Sequence, residues 1–417
     1  MKRTIRLGAL SATNIGISFL FQWYVLTKLG PGIETDALFA GMALPQLALA
    51  VIGGSLSHVL VPLLAGEDED RLRQDAWGFF ILVGGFFLIL ATILYLTAPW
   101  WVAVTLPGFD EKGAALTVDL ARIQLVGMVF SAINGVQWAS YHARQQFIWV
   151  ESAAILASAI SLLFLIWALP VFGVIAAAWV STLRLLIQTA FLAPGMGRPR
   201  WPDLKSHTIR SGWQRIKPLL LGNAYYKTDP LVDRFLLSMA NSGSLSLYYL
   251  AQQIYGAVTQ VINRAIAVPM VPLLSNLYKQ GECAEFHRTY HRKLFQTLLI
   301  SVAGILLLGL VGQTVLELLI GHGNVSASKV QELWWIMIWL AGMFMGGVVG
   351  QITSSTFYAS GNTSTPTRIS IISYTAYIPV KVGAFYLFGV IGLAIATSIY
   401  YLVNLSLQIY LLERENA

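Results

Sequence analysis

"GVIAAAWVSTLRLL", residues 173–186, comes back 216 positions later as "GVIGLAIATSIYYL", residues 389–402. A shorter echo has a similar offset. "VPLL" closes one apolar run at 61–64 and another at 271–274. Single matches among apolar residues arise by chance. Two in the same order at nearly the same spacing point to a chain built of two related halves.

Composition places those halves in a membrane. Of the 417 residues, 56% are hydrophobic and 11% charged, against about 25% charged in soluble domains. A helical span needs about 20 apolar residues. Twelve such runs are present: 6–28, 37–64, 76–98, 120–143, 148–169, 172–193, 214–238, 245–275, 290–319, 331–359, 367–387 and 389–412. Six fall in each half. The expected fold class is an all-α polytopic membrane protein with two pseudo-symmetric six-helix lobes. Residues 1–194 form the N-terminal lobe, 195–213 a basic cytoplasmic linker, and 214–417 the C-terminal lobe.

Lysine and arginine set the orientation. With the N-terminus inside, the inner segments hold eighteen of them, from Lys2 to Arg414, and the outer loops hold Lys28, Lys112 and Lys329. Both termini are therefore expected in the cytoplasm. The net charge of +7 is a topology signal with an affinity for membrane lipids, not a nucleic-acid footprint. Both halves begin on the same side, so the repeat is parallel about the membrane normal, the plan of a two-lobed transporter. One cysteine, Cys283, excludes an internal disulfide framework. No HExxH, nucleophile elbow, Walker loop or CxxC pair occurs. An enzyme is not expected, nor a cofactor or bound metal.

Charge at bilayer depth is costly and marks a cavity or a partner. "YYKTDPLVDRFLL", 225–237, places four charges in eight positions. On a continuous helix, Lys227 and Arg234 lie within about 20° of each other, and Asp229 and Asp233 lie about 40° apart on another face. Pro230 should kink that helix. The cationic stripe is expected to meet an anionic substrate, with intramembrane ion pairing as the plainer alternative. Asp229 and Asp233 read as structural partners or an ion-coupling site. Arg264 adds a second cation suited to a diphosphate. Asp36, Gln252, Gln253 and Lys381 complete the deep polar set.

Several stretches resemble a known family. They are "GPGIETDALFAGMALPQL" (30–47) running on to "SHVLVPLLAGE" (57–67), "APWWVAVTLPGF" (98–109), and "LVDRFLLSMANSGSLSLYYLAQQIYG" (231–256) with "VPLLSNL" (271–277). "FYASGNTSTPTRISI" (357–371) fits the later helices. Together they resemble the MurJ (MviN) lipid II flippases of the multidrug/oligosaccharidyl-lipid/polysaccharide (MOP) exporter superfamily. The resemblance implies an inner-membrane flippase that carries a polyprenyl-diphosphate-linked glycan to the outer leaflet by alternating access. Its implied partners are that glycan lipid and the enzymes of glycan synthesis. The implied substrate-binding residues are Lys227, Arg234, Arg264, Asp36, Gln252, Gln253 and Lys381.

The sequence also departs from the family. The first helix, "SATNIGISFLFQWYV" (11–25), carries none of the family's arginines. Leu49 and Ala50 stand where a double arginine is usual, and Gln252-Gln253 where an Asp-Arg pair is usual. Family members commonly have fourteen spans, against the twelve read here. The cargo is thus either lipid II or another polyprenyl-linked polysaccharide unit. A cation-coupled multidrug or metabolite exporter of the same superfamily is the alternative.

Overall fold

A computed structural model describes the chain except residues 1, 66–67, 200, 202, 204–205, 207, 213–224 and 416–417. For residues 2–7, 53–58, 226, 268 and 415 it describes the backbone alone. Helix is the only regular secondary structure among the described residues, with no strand.

They fall into two compact units, Met1–Leu245 and Ser246–Ala417. The first contains α1 (Lys2–Leu29), α2 (Ile33–Gly41), α3 (Ala43–Ala48), α4 (Gly54–Leu64), α5 (Glu69–Leu96), α6 (Ala98–Thr105), α7 (Glu111–Ala143), α8 (Phe147–Leu192) and α9 (Asp229–Ser238). The second contains α10 (Ser244–Ile262), which starts at the boundary, α11 (Val268–Gln280), α12 (Cys283–Ile320), α13 (Ala327–Trp339), α14 (Ala341–Ala359) and α15 (Ser364–Glu415).

Eight helical runs among the described residues are long and apolar enough to cross a membrane. There are nine if α13 and α14, bent by 43°, form one span. α8 has 46 residues and α15 has 52. At 1.5 Å per residue each exceeds twice the bilayer core of about 30 Å. Each is broken once, by Gly173 (φ 59°, ψ −147°) and Gly389 (φ 60°, ψ −141°). Each therefore holds two spans, which brings the described spans to eleven. The expected seventh, 214–238, begins outside the described residues, and so does part of the basic linker.

The glycines that open the repeated sequence thus share one backbone conformation. It lies in a region essentially closed to side chains. Other features repeat as well. A π-helical stretch precedes each VPLL helix: Leu49–Gly53 before α4 and Asn263–Ala267 before α11. Pro62 and Pro272 lie inside those helices, and Leu64 and Leu274 are fully buried in their units' cores. Helix α7 is the hub of the first unit, packing on α2, α4, α5 and α8, and α14 packs on α11, α12 and α15 in the second.

Each hub bonds through polar groups to the long, glycine-broken helix of its unit, α8 or α15. Asn134 Nδ2 donates to the Leu185 carbonyl at 3.2 Å, and Thr189 Oγ1 to Asn134 Oδ1 at 2.8 Å. Thr353 Oγ1 donates to Gln408 Oε1 at 2.6 Å. Between apolar helices in lipid, such bonds hold neighbours that hydrophobicity alone does not.

One local expectation is corrected. Pro230 does not kink a helix from within. Residues Tyr226–Thr228 form a 3₁₀ turn, and α9 starts at Asp229 with Pro230 in its first turn. There the missing N–H has no helical acceptor to lose, so proline fits without strain.

Candidate functional site

The three stretches that carry the family resemblance meet in the first unit. Gly30, at φ 79°, ends α1 and turns the chain into α2. Thr35 Oγ1 ties that turn, bonding to the Gly30 and Gly32 carbonyls at 3.0 Å. The carboxylate of Asp36, 4% exposed, then reaches across to the loop after α9 and accepts the Gly243 N–H at 2.6 Å. Gly243 sits at φ 89°, and a Cβ there would lie 2.7 Å from the Pro31 carbonyl oxygen. Within "TLPGF", the Gly108 N–H donates to Ser238 Oγ, the last residue of α9, at 3.2 Å. Asp36, read from the sequence as a substrate contact, is thus spent on joining two loops.

The basic residues of 225–237 face one helical run. Arg234, 5% exposed, donates from Nη2 to Gln46 Oε1 at 2.6 Å. Lys227, half-buried, donates from Nζ to the Ala50 carbonyl at 2.8 Å. Gln46 lies on α3 and Ala50 in the π-helical stretch that follows. A π-helical turn shifts its carbonyls away from their usual α partners, and the ammonium takes one of them. Lys227 therefore keeps the company of Arg234 although its own turn is not α-helical. Asp229 opens α9, where a carboxylate suits the positive helix end. Asp233 is 3% exposed on the same helix. Among the described residues no group of three His, Cys, Asp or Glu is placed to hold a metal ion.

The remaining candidates lie in the second unit. Gln252 and Gln253 are half-buried on α10, and Arg264 is exposed in the second π-helical stretch. Lys381 has no exposure at all. Its ammonium lies 4.9 Å from the centre of the Tyr377 ring, a cation–π contact. Tyr377 stacks on Tyr400 with centroids 4.5 Å apart. The hydroxyls of Tyr377 and Tyr248 meet Thr397 Oγ1 at 2.7 and 3.1 Å.

Sequence reading missed Gln46, Gly243 and this tyrosine cluster. Gly243 had a signal, the "NSG" turn at 241–243. The tyrosines flank Lys381 and Thr397 at helical spacing, but nothing in that pattern tells a cluster from ordinary packing.

Together these features describe a transporter-type membrane protein: two units with repeated hubs, repeated glycine breaks and deep cations held by polar oxygens. A family model described as "Lipid II flippase MurJ" matches residues 25–417. The chain belongs to that family.

Among curated relatives, a probable lipid II flippase MurJ of Buchnera aphidicola is 21% identical over 97% of this chain and 82% of its own length. The lipid II flippase MurJ of Burkholderia cenocepacia is 20% identical over 82% of this chain and 70% of its own length. Among solved structures, a lipid II flippase MurJ in an inward closed conformation superposes with a TM-score of 0.84 at 16% identity, covering 98% of this chain and 87% of that one. An inward-facing multidrug resistance transporter of the MATE family, in the MOP superfamily, gives 0.79 at 15% identity, covering 97% and 94%. The all-helical MOP-type fold expected from the sequence is the fold observed.

Proposed function

We propose that this chain flips a polyprenyl-diphosphate-linked glycan, lipid II or a related polysaccharide unit, from the inner to the outer leaflet of a bacterial inner membrane. Both termini face the cytoplasm in this reading, and the enzymes that build the glycan on its lipid carrier are its working partners. Membership of the flippase family supports the substrate class.

The observation that carries the mechanism is Lys227. Its ammonium is half-buried and held by a neutral backbone carbonyl at 2.8 Å. A diphosphate is a stronger acceptor, because it adds full charge–charge attraction to the hydrogen bond. Arg234, on the same run, supplies a planar fork matched to phosphate oxygens. Exchange of Ala50 and Gln46 for phosphate would bind the headgroup in one state. The return of those intramolecular bonds would release it in the next. Alternating access then follows from movement of the two units.

The test is complementation. The chain is expressed in bacteria depleted of their own lipid II flippase, and survival is scored. Rescue by the wild type and loss of rescue in Lys227→Ala fit the proposal with lipid II as cargo. Failure of rescue with the protein present in the membrane removes lipid II and leaves another polyprenyl-linked glycan. Full rescue by both Lys227→Ala and Arg234→Ala would sink the cationic mechanism.

A further inference from the structure

The first unit carries a cleft of about 680 Å³ that none of the residues discussed above lines. It opens where α5 begins, α7 ends and α8 begins, beside the 3₁₀ turn Ala193–Met196. Two arginines meet one glutamate there. Glu69 holds Arg73 Nε at 2.9 Å and Arg144 Nη2 at 3.1 Å. Arg144 is a fixed wall: its side chain is 11% exposed, and its Nη1 donates to Ser140 Oγ and the Gly195 carbonyl, both at 2.9 Å. Arg73 is freer. It is 39% exposed, and beyond Glu69 it has no hydrogen-bonding or ionic partner among the described residues. One positive charge is left over, and Arg73 has N–H groups to direct at a ligand.

The backbone of the cleft is also unusual. Gln145, in its lining, has φ 59°, the one positive φ outside glycine among the described residues. Such strain persists where surrounding structure enforces it, and it clusters at functional sites. α8 begins at Phe147 with no side-chain cap from Gln146. The rim is of opposite character: Ile148 is 41% exposed and Trp149 46%. Tryptophan beside arginine at a span end is the pattern of a membrane interface.

A soluble anion gains nothing from the apolar rim, and a zwitterionic lipid, whose ammonium offsets its phosphate, gains less from the spare guanidinium than an anionic one. We propose that this cleft binds the phosphodiester headgroup of an anionic phospholipid. Arg73 contacts the phosphate, and Ile148 and Trp149 cover the glycerol and the head of the acyl chain. The proposed topology puts this end of the helices in the cytoplasmic leaflet, where polybasic segments meet anionic lipid. None of the residues proposed to hold the carried glycan lines this cleft, and the test does not read transport.

Purified full-length protein in detergent is titrated calorimetrically with dioctanoyl phosphatidylglycerol, dioctanoyl phosphatidylcholine and inorganic phosphate. Phosphatidylglycerol should bind about fivefold more tightly than phosphatidylcholine, the worth of one cation near a lipid surface. Inorganic phosphate should bind more weakly than phosphatidylglycerol. Arg73→Gln should remove the preference for phosphatidylglycerol by weakening its binding more than that of phosphatidylcholine, whose choline ammonium already offsets part of the phosphate charge. Gln146→Glu, an exposed change that adds a like charge, should do the same and decides the matter alone where Arg73→Gln does not fold. Equal binding of the two lipids by the wild type, or an unchanged preference in the variants, would overturn the site. Phosphate binding as tight as phosphatidylglycerol would overturn the lipid assignment.

Discussion

Arg234 Nη2 lies 2.6 Å from Gln46 Oε1, a residue 188 positions earlier in the chain. The guanidinium is 5% exposed, so its partners set the cost of keeping it there. A charged group robbed of a buried hydrogen bond typically loses about 1–3 kcal/mol or more. Gln46→Leu should therefore lower the melting temperature of the detergent-purified protein, and Gln46→Glu should not. A Gln46→Leu protein that melts like the wild type would mean that this bond is incidental.

Lys227 gives the functional counterpart. Lys227→Ala frees the Ala50 carbonyl and removes the half-buried cation. The expected result is loss of complementation with normal protein abundance on a membrane immunoblot. Lys227→Arg keeps the charge and should retain part of the activity. Normal growth with Lys227→Ala would show that the ammonium serves packing alone.

Gly243 and Gly173 should respond differently to alanine. At both, φ is positive, which costs a side chain on the order of 1–3 kcal/mol. At Gly173 a Cβ meets nothing within 4 Å, whereas at Gly243 it meets the Pro31 carbonyl at 2.7 Å. Gly243→Ala must also disturb the bond from its N–H to Asp36. Thermal unfolding should rank Gly243→Ala as clearly the worse of the two. The reverse order would contradict the packing of these loops.

Tyr377 separates two roles in one side chain. Tyr377→Phe removes the hydroxyl that meets Thr397 at 2.7 Å, at a typical net cost of about 1 kcal/mol. It keeps the ring beneath the Lys381 ammonium. Tyr377→Leu removes the ring as well and should cost more, since a desolvated cation–π contact is worth about 2 kcal/mol. Equal melting temperatures for the two variants would mean that the ring adds nothing for the lysine.

What the sequence disclosed follows a physical division. Gly173 and Gly389 were legible because a backbone conformation closed to side chains demands glycine, and that demand leaves a mark in the sequence. The spans were legible because lipid demands unbroken apolar length. Lys227 and Arg234 reach the same helical run, but not by the continuous helical phase expected from the sequence, because the turn holding Lys227 is not α-helical. Their partners were not. Gln46 is one glutamine among many. The Ala50 carbonyl becomes available through a π-helical turn, and alanine carries no sign of it. Asp36 was noticed for its charge and family motif, yet its partner is a backbone N–H 207 positions away, which no side-chain pattern records.

The matched breaks at Gly173 and Gly389 also divide the molecule into what its halves share and what they do not. A shared conformation that only glycine tolerates, at the same place in both halves, is the imprint of a gene that doubled. The frame, with its hubs, breaks and π-helical turns, is what the two halves hold in common. The deep charges carry no such imprint. Arg184 stands eleven positions beyond Gly173, where the second half has Tyr400 or, one position on, Tyr401. Lys381 precedes Gly389 by eight positions, where the first half has Leu165 before Gly173. Scaffold is shared between the halves and chemistry is not, so the charges make an asymmetric lining inside a symmetric frame.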